Sequence, residues 1–120
     1  MGTQSAPYLQ RLEVRSQGRI DYVDVSEALW LQADGNYIEV HTTQKTHLAR
    51  VTITQLESQL DPTAFVRISR SAMVNLAMIR SIKSVGQRDH AVELKSGDEL
   101  PITRSLSELK ARLQFPNRKP

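Results

Sequence analysis

Between residues 9 and 114 the hydrophobic side chains recur mostly at every second position, which predicts strands rather than helices. Residues 12–15 form a short strand candidate, Gln17-Gly18 marks a turn, and residues 20–25 follow as a second strand. Leu29, Leu31 and Ala33 then alternate with Trp30 and Gln32 until Asp34-Gly35-Asn36 breaks the run. Gly and Asn tolerate the positive φ that tight hairpins require. Past the break, Ile38, Val40 and Thr42 face one way, and Tyr37, Glu39 and His41 face the other. Residues 29–42 therefore read as a strand–turn–strand hairpin.

Residues 46–51 give another short strand. A helix fits 53–60, where Thr54 and Glu57 have capping-box spacing, Leu56 and Leu60 share a face, and Asp61-Pro62 stops the run. Residues 65–68 (FVRI) read as a strand. Residues 79–85, 90–95 and 99–102 predict a meander punctuated by Gly86 and by Ser96-Gly97-Asp98. A last helix fits 105–114, with Leu106, Leu109 and Leu113 on one stripe and Ser105 or Arg104 near its start. Residues 72–79 (AMVNLAMI) are apolar nearly throughout, and periodicity leaves a buried helix and a strand both open. A helix there suggests a helix-turn-helix with 53–60, but eleven residues separate the two where the motif has a 3–4-residue turn. The pattern as a whole is mainly β with two short helices. Residues 1–8, with Gly2, Ser5 and Pro7, read as a flexible leader, and 115–120 (FPNRKP) as a flexible tail, leaving one domain over 9–114.

Charge sharpens this picture. The 120-residue chain has a formal net charge of +3, but residues 1–60 carry −2 and residues 61–120 carry +5. From Pro62 to Arg88 there is no acidic residue, while Arg67, Arg70, Arg80, Lys83 and Arg88 all fall there. Eleven of the sixteen basic residues are arginine, whose planar fork suits phosphate and guanine. An anionic partner is implied, with nucleic acid the commonest of that kind; the bland alternative is a solvated basic face.

Candidate chemistry points away from catalysis. With no cysteine there is no disulfide scaffold, thiolate metal site or cysteine nucleophile, a composition compatible with the cytoplasm. No apolar run is long enough to cross a bilayer, and the N-terminus lacks a signal-peptide pattern. His41, His47 and His90 form no metal-ligand spacing, and no phosphate-binding glycine motif or nucleophile elbow is present. No cofactor or metal is expected. Arg11, Arg15 and Arg19 have the RxxxR spacing of PilZ-type cyclic-dinucleotide receptors, but the downstream [DN]xSxxG element is missing. Six aromatic residues, one of them a tryptophan that reads as core, leave little for a single-strand stacking platform.

Three ordered segments carry a resemblance: EALWLQADGNYIEVHT at 27–42, FVRISRSAMVN at 65–75 and ELKSGDELPITR at 93–104. Together, with the capped helix before FVRI, they resemble the LytTR (LytR/AlgR-type) DNA-binding domain of bacterial response regulators over roughly residues 9–113. Ser69 stands where the family pattern has a histidine. The resemblance implies an elongated stack of small antiparallel sheets with one or two short helices. It also implies loops that enter successive major grooves, paired DNA sites occupied by two copies, and often an upstream receiver domain. Carried over by position, Asp34, Gly35, Asn36 and Tyr37 in the turn, Arg70 after FVRI with Ser69 beside it, and Arg104 after LPIT match the family's contact positions.

The residue chemistry agrees. Arg70 and Arg104 each follow a strand, where a guanidinium can bond guanine O6 and N7 together. Asn36 can face adenine or phosphate, and Arg67, Arg80, Lys83 and Arg88 are candidates for phosphate anchoring. Plainer roles compete: Asn36 supplying αL geometry to the turn, Tyr37 packed on its own sheet, Arg67 paired with a carboxylate such as Glu93, and Arg104 capping the last helix. An arginine there opposes the helix dipole, which favours an outside partner. Trp30, Leu29, Leu31, Val74 and Ile79 read as core. The expected function is sequence-specific double-stranded DNA binding without catalysis. The rival is an interaction or ligand-sensing module whose basic face meets an acidic protein or a nucleotide.

Overall fold

A computed structural model describes residues 8–115; the rest of the expected leader and tail, 1–7 and 116–120, lies outside the described residues. Strands β1 (Arg11–Ser16) and β2 (Arg19–Asp24) form an antiparallel hairpin that pairs Leu12 with Val23. Its two-residue turn puts Gln17 at φ 48° and Gly18 at φ 80°, the handedness that matches strand twist.

The central sheet has five strands. β3 (Trp30–Asp34), β4 (Tyr37–His41), β5 (Thr46–Ala49), β6 (Phe65–Arg67) and β7 (Ala72–Asn75) lie in the order β5–β4–β3–β7–β6, all neighbours antiparallel. A second, three-stranded sheet has β9 (His90–Leu94) between β8 (Ile79–Ser84) and β10 (Glu99–Ile102), the predicted meander. Helix α1 (Ile53–Gln59) links β5 to β6, and α2 (Leu106–Gln114) follows β10. The assembly is a slab of 47 × 39 × 22 Å. No described helix is long and apolar enough to cross a membrane.

The central sheet has a separate core on each face. Leu31, Ile38, Val40, Phe65 and Met73 pack with Leu12, Val14, Val23 and with Leu56 of α1. Val66, Ala72 and Val74 pack instead with Val92, Leu94, Leu100, Ile102 and with Leu109 of α2. β7 sends Ala72 and Val74 into one core and Met73 into the other, and Asn75 at its end is buried as well. The apolar 72–79 segment is therefore a strand covered on both sides, followed by a 3-10 turn at Leu76–Met78, and it forms no helix-turn-helix with α1.

Three sequence expectations need correction. The box that starts α1 is Thr52 with Gln55: Thr52 Oγ1 accepts from Gln55 N at 3.1 Å, and Gln55 Oε1 accepts from Thr52 N at 3.0 Å. Thr52 is extended (φ −90°, ψ 155°) and can turn its hydroxyl back, whereas Thr54 already lies inside the helix. Trp30 is half-buried rather than core; its ring stacks on His41 at 3.9 Å between centroids. Ile79 is likewise half-buried.

Candidate nucleic-acid interface

The carbonyl oxygen of Ile68 joins the two halves of the domain. It accepts from the backbone N–H of Thr103 at 2.8 Å and of Arg104 at 3.1 Å, tying the end of β10 to the loop between β6 and β7. That loop closes on itself, since Ile68 N donates to Ala72 O at 3.0 Å. On its other side Ser71 O accepts from Ala33 N at 2.7 Å, and Ser71 Oγ accepts from the Gln32 amide at 3.1 Å. Ala33 immediately precedes the turn at Asp34, Gly35, Asn36 and Tyr37. The hairpin turn, the 69–71 loop and the 103–105 turn thus stand in a row at one end of the central sheet.

Each projection is held from below. In the hairpin turn Gly35 carries the positive φ, 62°, and Asn36 does not; this corrects the expectation that Asn36 supplies αL geometry. Glycine takes that conformation without strain, which leaves the Asn36 side chain uncommitted to the turn. In the 69–71 loop the guanidinium of Arg67 donates from Nε to Ser69 O at 3.2 Å and from Nη2 to Arg70 O. Its Nη1 pairs with Glu57 at 2.9 Å, not with Glu93, which accepts the Ser81 hydroxyl at 3.0 Å instead. Only 13% of the Arg67 side chain is exposed. In the last projection Ser105, at φ 67°, turns the chain sharply into α2 just after Arg104.

The charges sort by availability. Arg70, Arg88 and Arg104 are exposed, and among the described residues their side chains have no ion pair or hydrogen bond. Arg88 and Arg104 line one shallow cleft with His90 and the start of α2; the acidic residue there, Glu108, is paired with Arg112 at 2.9 Å. Lys83 is ion-paired to Glu99, whose hydrogen bond and charge hold the Lys83 ammonium above the usual lysine range. Arg80 is the extra residue of a bulge between Ile79 and Ser81, and its guanidinium donates to Lys95 O at 3.2 Å. That is the end of the meander remote from Arg104, because His90, not Leu94, pairs with Ile102.

Asp34, Gly35, Asn36, Tyr37, Ser69, Arg70, Arg88 and Arg104 are accordingly gathered along one edge. Arg67 lies beneath it, Lys83 is engaged elsewhere, and Arg80 is outside it. Tyr37 is 43% exposed rather than packed away on its sheet. Two residues escaped sequence reasoning. Buried Asn75, the last residue of the second motif, donates to Ala28 O at 2.8 Å and accepts from Ala77 N at 3.0 Å, which fastens β7 to the start of β3. Arg50 stands beside Tyr37, because Ala49 pairs with Ile38 in the strand register.

Residues 18–114 match the LytTr DNA-binding domain family. The CO-responsive transcriptional regulator RcoM of Rhodospirillum rubrum is 31% identical over 99 residues, covering 82% of this chain and 42% of that protein. The transcriptional regulatory protein YpdB of Escherichia coli K12 is 31% identical over 88 residues, covering 72% of this chain and 36% of that protein. This chain thus spans less than half the length of these relatives. A solved LytTr DNA-binding domain from Bacillus cereus superposes with a TM-score of 0.76 at 19% identity, covering 89% of this chain and 98% of that one.

Proposed function

The chain belongs to the LytTr DNA-binding domain family, and from that premise we propose that the edge built around Ile68 reads a specific double-stranded sequence as the output of a transcription regulator. The observation that carries this reading is the row of three rigidly tethered projections bearing two exposed guanidiniums, Arg70 and Arg104, unpaired among the described residues. Arg70 and Arg104 face guanine edges in the major groove, where a bidentate pair gives about 1–3 kcal/mol of discrimination. Asn36 reads or braces at the hairpin turn, flanked by Asp34, Gly35 and Tyr37, with Ser69 beside Arg70. Arg88 grips a bordering phosphate, which adds affinity without reading sequence. Arg67 positions the loop rather than touching DNA. Lys83 and Arg80 contribute long-range positive field, Lys83 exchanging Glu99 for phosphate when DNA lies close. Two copies occupy paired sites, and the mechanism involves no catalytic step.

The test is selection of duplexes from a randomised pool, followed by anisotropy titration of wild type, Arg70→Ala and Arg104→Ala on the enriched and a scrambled duplex. Enrichment of a spaced pair of motifs is expected, with each variant losing roughly 5- to 150-fold in the specific-to-scrambled ratio. Full discrimination in both variants would sink the reading.

A further inference from the structure

The row of projections has a neighbour on its outer side. β5 ends at Ala49, opposite Ile38, so Arg50 emerges beside Tyr37 at the same end of the sheet as the hairpin turn. Arg50 and Tyr37 line a common groove, closed on its far side by Arg11, Arg15 and Tyr22 of the first hairpin. Arg11 pairs with Asp24 at 3.3 Å and Arg15 with Glu13 at 3.7 Å. Arg50 is exposed and has no pair among the described residues. The sheet order puts the turn between two such guanidiniums, Arg50 after β5 and Arg70 before β7. Three strand spacings separate those strands, about 14 Å. The major groove of B-DNA is about 12 Å wide. A turn that enters the groove therefore brings the flanking strand end over one of its walls, and the walls are phosphate.

We infer that Arg50 is a phosphate anchor of this domain, gripping the DNA backbone on the side of the hairpin turn opposite Arg70. The inference rests on the DNA-binding reading above and extends its footprint by one strand. Arg50 supplies affinity by neutralising one phosphate, while discrimination stays with Arg70 and Arg104.

The test titrates wild type, Arg50→Ala, Arg50→Lys and Lys95→Ala against the selected duplex and its scramble over a range of salt concentrations, with Arg70→Ala and Arg104→Ala alongside. Lys95 lies at the remote end of the meander, beside Arg80. Arg50→Ala is expected to bind both duplexes more weakly by the same factor, with the log–log salt slope shallower by about 0.9, one phosphate's worth. Arg50→Lys should restore the slope, because a point charge suffices for phosphate. Wild-type affinity and slope in Arg50→Ala would overturn the inference, as would an equal flattening by Lys95→Ala, which would reduce the effect to net charge. A loss confined to the selected duplex would also overturn it, since that marks base reading. Intact discrimination in both Arg70→Ala and Arg104→Ala would instead bring down the underlying reading, so the two failures are distinguishable.

Discussion

The guanidinium of Arg67 donates from Nη2 to the carbonyl oxygen of Arg70, three residues further along the chain. A second N–H of the same group meets Ser69 O, and a third is anchored by Glu57 of α1. One largely covered cation therefore fixes the backbone that carries an exposed one. Arg67→Ala leaves those carbonyls without their donor in a half-buried loop, at a cost of about 1–3 kcal/mol. It should lower the urea midpoint and also reduce site discrimination, although the proposed reading gives Arg67 no base contact. Glu57→Gln should have a smaller effect, within about 1 kcal/mol, because Glu57 is half-exposed and the amide oxygen can still accept. Unfolding curves and specific-to-scrambled ratios for both variants check this. Unchanged discrimination in a folded Arg67→Ala would show that the loop holds its shape without the guanidinium.

Asn75 carries a second prediction. Its side chain is buried, and the oxygen and nitrogen of its amide serve Ala77 N and Ala28 O. Asn75→Ala strands the buried carbonyl of Ala28 and frees the more exposed N–H of Ala77, and should cost about 1–3 kcal/mol in urea unfolding. Asn75→Asp should fare no better, since a carboxylate cannot donate to Ala28 O and charge burial adds to the loss. Near-wild-type stability of either variant would mean that water replaces the amide.

What the sequence made legible follows from where each signal resides. The 29–42 hairpin showed itself because alternation and Gly35 are local and agree. β7 did not, because burial on both faces erases the alternation that marks a strand: Met73 enters one core while Ala72 and Val74 enter the other. The capping box was misplaced by two residues because Thr52–Gln55 and Thr54–Glu57 have identical spacing, and only the extended backbone at Thr52 separates them. The partner of Arg67 is Glu57 rather than Glu93 because a sequence pattern does not show which carboxylate α1 brings to the end of β6. Motif position singles out Arg70 and Arg104 as candidates, but the juxtaposition of their loops through Ile68 O is a backbone contact, and no side-chain pattern encodes it. Arg50 was missed because its place depends on the β4–β5 register.

The first hairpin and β5 carry a pH dependence. Partial burial, aided by the positive charge of Lys45, holds the His47 imidazole below the usual histidine value of 6.5, against the opposing pull of Asp21 and Glu27. The unfolded chain then takes up that proton more readily than the folded one. Stability from this group is present above pH 6.5 and declines as the pH falls through 6.5 toward the lower folded value. The urea midpoint of wild type should therefore drop between pH 7.5 and 5.5 by more than that of His47→Gln. Parallel pH profiles for the two proteins would remove His47 as the cause.

Ser105 holds strain at the point where Arg104 is presented. Its φ of 67° and ψ of 22° lie in the left-handed region, and its hydroxyl makes no capping bond to α2, although its carbonyl accepts from Leu109 N at 2.8 Å. For a residue with a Cβ that conformation costs roughly 1–2 kcal/mol. Ser105→Ala keeps the Cβ and forfeits no side-chain hydrogen bond, so it should unfold near the wild-type midpoint. Ser105→Gly removes the Cβ clash but adds about 0.5–1 kcal/mol of unfolded-state entropy. The difference between the two variants isolates the backbone: glycine should be more stable than alanine by roughly 0.5–1 kcal/mol, the clash relieved less the entropy added, read as the offset between two urea curves of equal slope. Coincident curves would mean that the contacts of Ile68 and Leu109 on either side reshape the turn until a Cβ is tolerated. In that case Arg104 would be held by its backbone tether to Ile68 alone.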